Sequence, residues 1–456
     1  MLFQNGTEQM TTNEAAVNIT TRNSLRQKVL DDILPCQTIS KVTNTGKRGE
    51  ISKEFCAGKF SDEVVESSKT QFLIWCAARS KLQLTKDAAN SVSSFIATNS
   101  LFANPVEAVT RYCFTPIVPH PATEYDTIFT CMLNFQDVLE QRNQEYGPLW
   151  CDEGVYRLAK ELQLLNPKKF ENIFLGLGGF HTEKILIACC GAYLHETGID
   201  SVLVENGVYG PGNVQSVLSG GNYIRGKRGM LLIAEVLYQL QIEVFESSES
   251  FKQPLEDLQK FRKMIEAEEC YRDWKHFEEK LQDFVHPFKE FVAQRSAESL
   301  TFKYWNVFIQ DIVQVLVDLT RSHREGNWKL HLSAIRRAIF FPFNRTNYRR
   351  WVPIYLEDCL QLPSKFPKIH DSFMNGEFVV SQSNRRGSNL PMDQALEKQY
   401  NKPAKGQSGI IGFSRRKEAV CKWNIVKHEK SQYTSSLEKI CGIVDEDEYS
   451  IHHVRN

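Results

Sequence analysis

Three short stretches combine residue types that metal-assisted phosphoryl chemistry uses. Asp152 follows the run GPLWC (147–151), which reads as a short strand after a turn. In open α/β sheets the carboxyl end of a strand is where ligands bind and where a carboxylate holds a metal. An Asp at the same place equally suits the N-cap of a helix that starts beside it, and the two roles are compatible. The second stretch, Gly178-Gly179-Phe180-His181, ends the apolar run NIFLGLGGF (172–180). Glycine lets a backbone turn sharply and lets a neighbour come close. His181 then reads either as a metal or phosphate ligand or as a core histidine bonded at a helix start. The third stretch, PMDQALE (391–397), puts proline at a first helical turn and Asp393 and Glu397 four residues apart on one face. Aimed at Asp152, such carboxylates make a divalent-metal site able to activate a nucleophile and stabilise both oxygens of a phosphodiester displacement. The structural alternative has Asp393 complementing the helix dipole and Glu397 pairing with Lys405 or another base. No GxSxG elbow, HExxH helix, Walker A loop or GxGxxG spacing is present.

The elements that would position these residues are read from hydrophobic period. Runs 147–151, 172–180 and SVLVE (201–205) are expected to be strands alternating with helices, the signature of an α/β fold. Elsewhere helices dominate: from Asp62, from Asp87, over 123–140, over 152–165, from His181, and over 223–245. The stretch 254–284 reads as one long amphipathic helix, followed by helices through 375, a short strand at 377–381, and a last pair at 391–401 and 415–430. The expected organisation is a loosely ordered segment 1–58, a helical region 59–145 and an α/β core 146–222. A helical insertion 223–376, basic helices 377–441 that complete the core and an acidic tail 442–456 follow.

Composition bounds the class. With 456 residues, 42% hydrophobic and 24% charged, the chain has enough apolar surface to build packed cores, which excludes a wholly disordered or collagen-like protein. Its 55 Lys+Arg balance 55 Asp+Glu, but the zero is a cancellation. Residues 321–430 hold 21 basic against 9 acidic residues, net +12; residues 1–320 net −9 and the tail 431–456 nets −3. A basic region interleaved with Trp328, Phe340, Phe341, Tyr348 and Trp351 could track a phosphate backbone, or could be an ordinary solvated helical surface over an aromatic core. Twelve scattered cysteines with no CxxC pair read as free thiols of a reducing compartment, with Cys189 and Cys190 packing as small hydrophobes. The start has no basic-then-apolar leader and no run reaches the ~20 apolar residues of a membrane helix. An intracellular, soluble protein is expected, nuclear rather than cytoplasmic.

In combination the segments PATEYDTIF (121–129), CDEGVY (151–156), LGLGGFH (175–181), REGNWKLHL (324–332), FNRTNYRRWVPIY (343–355), PMDQALEKQYN (391–401) and GIIGFSR (409–415) resemble a transposon-derived protein family of invertebrate genomes. They cover roughly residues 105–430. The block 150–181 is also similar to DDE transposases with an RNase H-like core, in which a strand ends in the second catalytic Asp and the next ends near a His. The resemblance implies Asp152 as the second acid, His181 as the histidine, Glu397 rather than Asp393 as the third acid, and Mg²⁺ held by Asp152 and Glu397 if the protein is active. It implies DNA contact through the basic region, with Arg345, Arg349, Arg350, Arg415 and Arg416 as nucleic-acid-binding residues. The first acid of that pattern belongs on a strand upstream of Asp152, yet Asp126 and Asp137 both lie in a helical pattern. The expectation is therefore a transposase-derived, truncated or domesticated protein, catalytically impaired, that retains nucleic-acid or protein binding. An active metal-dependent transposase or nuclease and a non-enzymatic helical scaffold are the alternatives.

Overall fold

In the computed structural model the described residues are 62–80, 93–104, 109–110, 118, 120–248, 256–271, 273–339, 348–398 and 440. The chain opens with helices α1 (Asp62–Ser80), α2 (Phe95–Ser100) and α3 (Tyr125–Gln141). Strand β1 (Gly147–Cys151), helix α4 (Glu153–Leu165) and strand β2 (Ile173–Leu177) follow. Helices α5 (Gly179–Tyr193), α6 (Ile199–Glu205), α7 (Pro211–Leu218) and α8 (Tyr223–Glu246) come next. Then come α9 (Glu256–Glu266), α10 (Lys275–Lys280), α11 (Gln282–Glu298) and α12 (Leu300–Val307). A π-helical stretch, Phe308–Val313, joins α12 to α13 (Gln314–Glu325). The described chain ends with α14 (Trp328–Ala338), α15 (Tyr348–Leu360), α16 (Leu362–Lys365), α17 (Pro367–Met374), β3 (Val379–Val380), β4 (Leu390–Pro391) and α18 (Met392–Leu396). The fold is mostly helical, and its described sheets are two pairs, β1 with β2 and β3 with β4. No described helix is long and apolar enough to cross a membrane.

Two expectations fail here. The run 201–205 is not a third strand but the end of α6, so among the described residues no mixed RNase H-like sheet forms around 147–205. The physical reason is that only Leu203 is buried there while Val202 is half exposed, the one-sided burial of a surface helix. Gly198, at φ 79° in the left-handed region, starts that helix in a conformation costly to other residues. Nor is 254–284 one helix. Glu268, at φ 51°, interrupts the helical backbone, and three helices, α9, α10 and α11, stand in its place.

The chain divides into two compact units, one from the described residues of Ala108–Gly176 and Met392–Asn456, the other from those of Gly49–Glu107 and Leu177–Pro391. In the first, α3 and α4 pack together beside the β1–β2 pair, and α18 lies against β1. Strand β2 is buried throughout, as its unbroken apolar run requires. Gly176 is needed there because any Cβ would fall 2.5 Å from the Trp150 ring. The Gln163 amide donates to the carbonyls of Phe170 (3.0 Å) and Ile173 (2.8 Å), tying α4 to the approach into β2.

In the second unit α8, the π-helical stretch and α13 form the core, and α1, α5 and α14 pack around them. Phe72 of α1 meets Tyr238 of α8 edge-on at 5.3 Å and Phe95 of α2 at 4.6 Å. Every residue from Gln314 to His323 is buried, so α13 is covered on all faces. It ends at Gly326 (φ 68°), and the side chain of Asn327 then caps α14 by accepting from Leu330 N–H at 3.1 Å.

Candidate functional site

A helix covered on all sides must find partners for its polar groups, because a buried charge without one is expensive. α13 carries Asp318, Thr320, Arg321 and His323, and they build two hydrogen-bonded networks. In the first, Glu183 of α5 is the hub. Its Oε1 lies 2.7 Å from His323 Nδ1, and its Oε2 accepts from Tyr223 Oη (2.5 Å), Lys227 Nζ (3.2 Å) and Thr320 Oγ1 (3.2 Å). Lys227 also donates to Tyr223 Oη at 2.7 Å. Burial alone raises the Glu183 pKa, but the Lys227 charge and the hydrogen bonds from His323 and Tyr223 outweigh it and hold the carboxyl well below its usual range. Burial pushes Lys227 down, opposed by the same Glu183 charge.

In the second network Asp318 receives Ser68 of α1, the Gln314 amide (2.8 Å) and Arg337 of α14. Arg321 donates to Ser68 Oγ at 2.8 Å and to Glu325 Oε1 at 2.8 Å.

A carboxylate on one imidazole nitrogen is the arrangement that orients a general base, since it fixes the ring with the other nitrogen as acceptor. Here the other nitrogen of His323 faces the backbone rather than a substrate. A Cβ built on Gly179 would lie 2.6 Å from His323 Nε2 and 3.1 Å from Pro391 Cβ, and the His323 side chain is 3% exposed. The glycine at 179 is thus explained by a close approach of His323. His331 stacks on Trp328 (4.8 Å) and reaches Tyr355 Oη through Nε2 at 3.0 Å, while its Nδ1 is buried without a hydrogen-bond partner. Burial, reinforced by the nearby His323, drives its pKa well below the ordinary histidine value, so the ring is neutral. These groups lock α1, α5, α8, α13 and α14 to one another. Sequence reading missed them; the one local signal was a charge inside an apolar helix, as at Glu183 in α5 and Asp318 in α13.

The residues singled out from sequence fall elsewhere. Asp152 is the N-cap of α4, its Oδ1 accepting from Val155 N–H at 3.0 Å. Asp393, buried in α18, and Glu397, just beyond it, belong to the same unit as Asp152. His181 belongs to the other unit, in the first turns of α5, with its ring 5.0 Å from that of Phe180. Among the described residues no group of three or more His, Cys, Asp or Glu is arranged to hold a metal ion.

Arg349 and Arg350 are exposed on the first turn of α15, Arg350 lying over the Trp351 ring at 4.8 Å. Arg345, Arg415 and Arg416, like Phe340, Phe341 and Lys405, lie outside the described residues. Trp328, Tyr348 and Trp351 are buried, as the reading of a helical surface over an aromatic core expects. All seven described cysteines are free; Cys190 is buried and Cys189 half-buried.

The family described as "Domain of unknown function (DUF8702)" matches residues 97–455. No curated protein matches the chain, and no solved structure does. The chain belongs to that family, whose match spans over three quarters of its length.

Proposed function

We propose that this family member is a nucleic-acid-binding protein of transposase descent, in which Asp152 serves folding rather than metal-dependent cleavage. The observation that carries the reading is the head of α15. Arg349 and Arg350 stand exposed in its first turn, which contains no acidic residue, while Tyr348, Trp351, Val352 and Tyr355 on the same helix are buried. Two cations at a helix N-terminus oppose the helix dipole, at about 0.3–1 kcal/mol each, so helix stability does not select them. A phosphate there is attracted by the dipole and by two guanidinium groups at once. In sequence, residues 321–430 carry a net +12, a composition that favours a polyanionic partner. Descent from a transposase rests on the matching segments from 121–129 to 409–415. With Trp328, Tyr348 and Trp351 in the core, contact runs through charge and is indifferent to base identity.

The test is fluorescence anisotropy of the full chain with labelled duplex DNA, in Mg²⁺ and in EDTA. Binding that weakens as salt rises, is equal for unrelated sequences, and leaves the DNA uncut in Mg²⁺ is expected. Cleavage that requires Mg²⁺, or no binding at low salt, overturns the reading.

A further inference from the structure

Among the described residues, the outward face of α8 carries an exposed apolar stripe. Its inner face buries Met230, Ile233, Ala234, Tyr238, Ile242 and Phe245, as a core helix should. On the other side Leu232, Val236, Leu240 and Val244 follow one another at four-residue steps and are 37%, 45%, 52% and 49% exposed. Such a stripe on a helix otherwise packed into its unit marks an interaction surface.

The charges on the same face identify what covers it. Arg225 near the start of α8 and Glu243 near its end are both exposed. They are 18 residues apart, and at about 100° per residue that is five full turns, so both leave the helix at one azimuth, about 27 Å apart. Leu232 and Val236 flank that azimuth by about 20° on either side, at the midpoint between the two charges. A surface with an apolar centre, a cation at one end and an anion at the other is complementary to itself when turned end for end. A parallel copy would instead set Arg225 against Arg225 and Glu243 against Glu243.

We propose that α8 is the interface of a two-fold symmetric dimer, in which a second copy lies antiparallel across Leu232 and Val236. Each Arg225 then faces the Glu243 of the second copy, and Leu240 broadens the apolar centre. Two-fold symmetry makes the contact isologous, so each charge pair forms twice.

The experiment is sedimentation velocity of the full chain at micromolar concentration. The wild type sediments as a dimer of the 52.5 kDa chain. V236E/L240E sediments as a monomer, and because both side chains are exposed its circular dichroism spectrum stays that of the wild type. R225E and E243R each weaken dimerisation on the order of tenfold or more. R225E/E243R restores it, since each copy again offers opposite charges at the two ends. A wild type that stays monomeric, a dimer indifferent to V236E/L240E, or a double swap no better than the single changes overturns the proposal.

Discussion

His323 Nδ1 stands 2.7 Å from the Glu183 carboxylate, and the same ring leaves room on its other side only for a glycine at 179. That relationship joins α5 to α13, and it sets two expectations about folding stability.

Glu183→Gln removes the negative charge that Lys227 is buried against, and breaking one side of such a pair typically costs about 3–5 kcal/mol. Urea denaturation followed by circular dichroism measures it. Asp318→Asn, which strands Arg337 in the second network, is expected to fall in the same range. A loss below about 1 kcal/mol in both variants shows that these ion pairs do not hold the unit together.

Gly179→Ala places a methyl group 2.5–2.6 Å from the His323 ring, which cannot retreat without leaving Glu183. Overpacking of this kind costs about 1–3 kcal/mol. A variant as stable as the wild type implies that His323 is free to move and that the Gly179 contact is incidental.

Stability should also fall in two steps as pH is lowered. A group whose folded pKa is depressed contributes stability above its unfolded pKa and loses it as pH falls toward the folded value. His331, depressed by burial, gives the first loss below its ordinary value near 6.5; Glu183, depressed by its partners, gives the second below about 4.5. His331→Gln removes the first step and leaves the second. Equal pH profiles for wild type and variant between pH 7 and 5 would assign the loss to other groups.

Asp152→Ala loses a helix cap, worth about 0.5–2 kcal/mol, whereas Asn caps as well as Asp. Asp152→Asn should therefore melt with the wild type, and Mg²⁺ should shift neither midpoint. A Mg²⁺-dependent rise in the wild-type midpoint that Asp152→Asn abolishes would make Asp152 a metal ligand.

What was legible in the sequence was local. β1, α4 and the cap between them follow from GPLWC, one Asp and the apolar spacing after it, and β2 follows from an unbroken apolar run. The helical content and the outer helices were equally readable from their periods. Residues 201–205 were misread because Val-Leu-Val favours a strand in isolation, while burial of Leu203 alone makes them a surface helix. The buried networks were out of reach for another reason: Glu183 meets Lys227 44 positions later and His323 140 positions later. Nothing in local spacing encodes such pairs, and the glycine at 179 recorded only that something had to come close.

The central claim concerns charge at the head of α15, and the salt dependence of DNA affinity tests it most directly. Each phosphate contact contributes about −0.9 to the slope of log affinity against log salt concentration. Loss of the two contacts in R349A/R350A is expected to make that slope shallower by about 2, with the circular dichroism spectrum unchanged. An affinity that ignores salt, or a slope identical in wild type and R349A/R350A, contradicts a nucleic-acid-binding role for this surface.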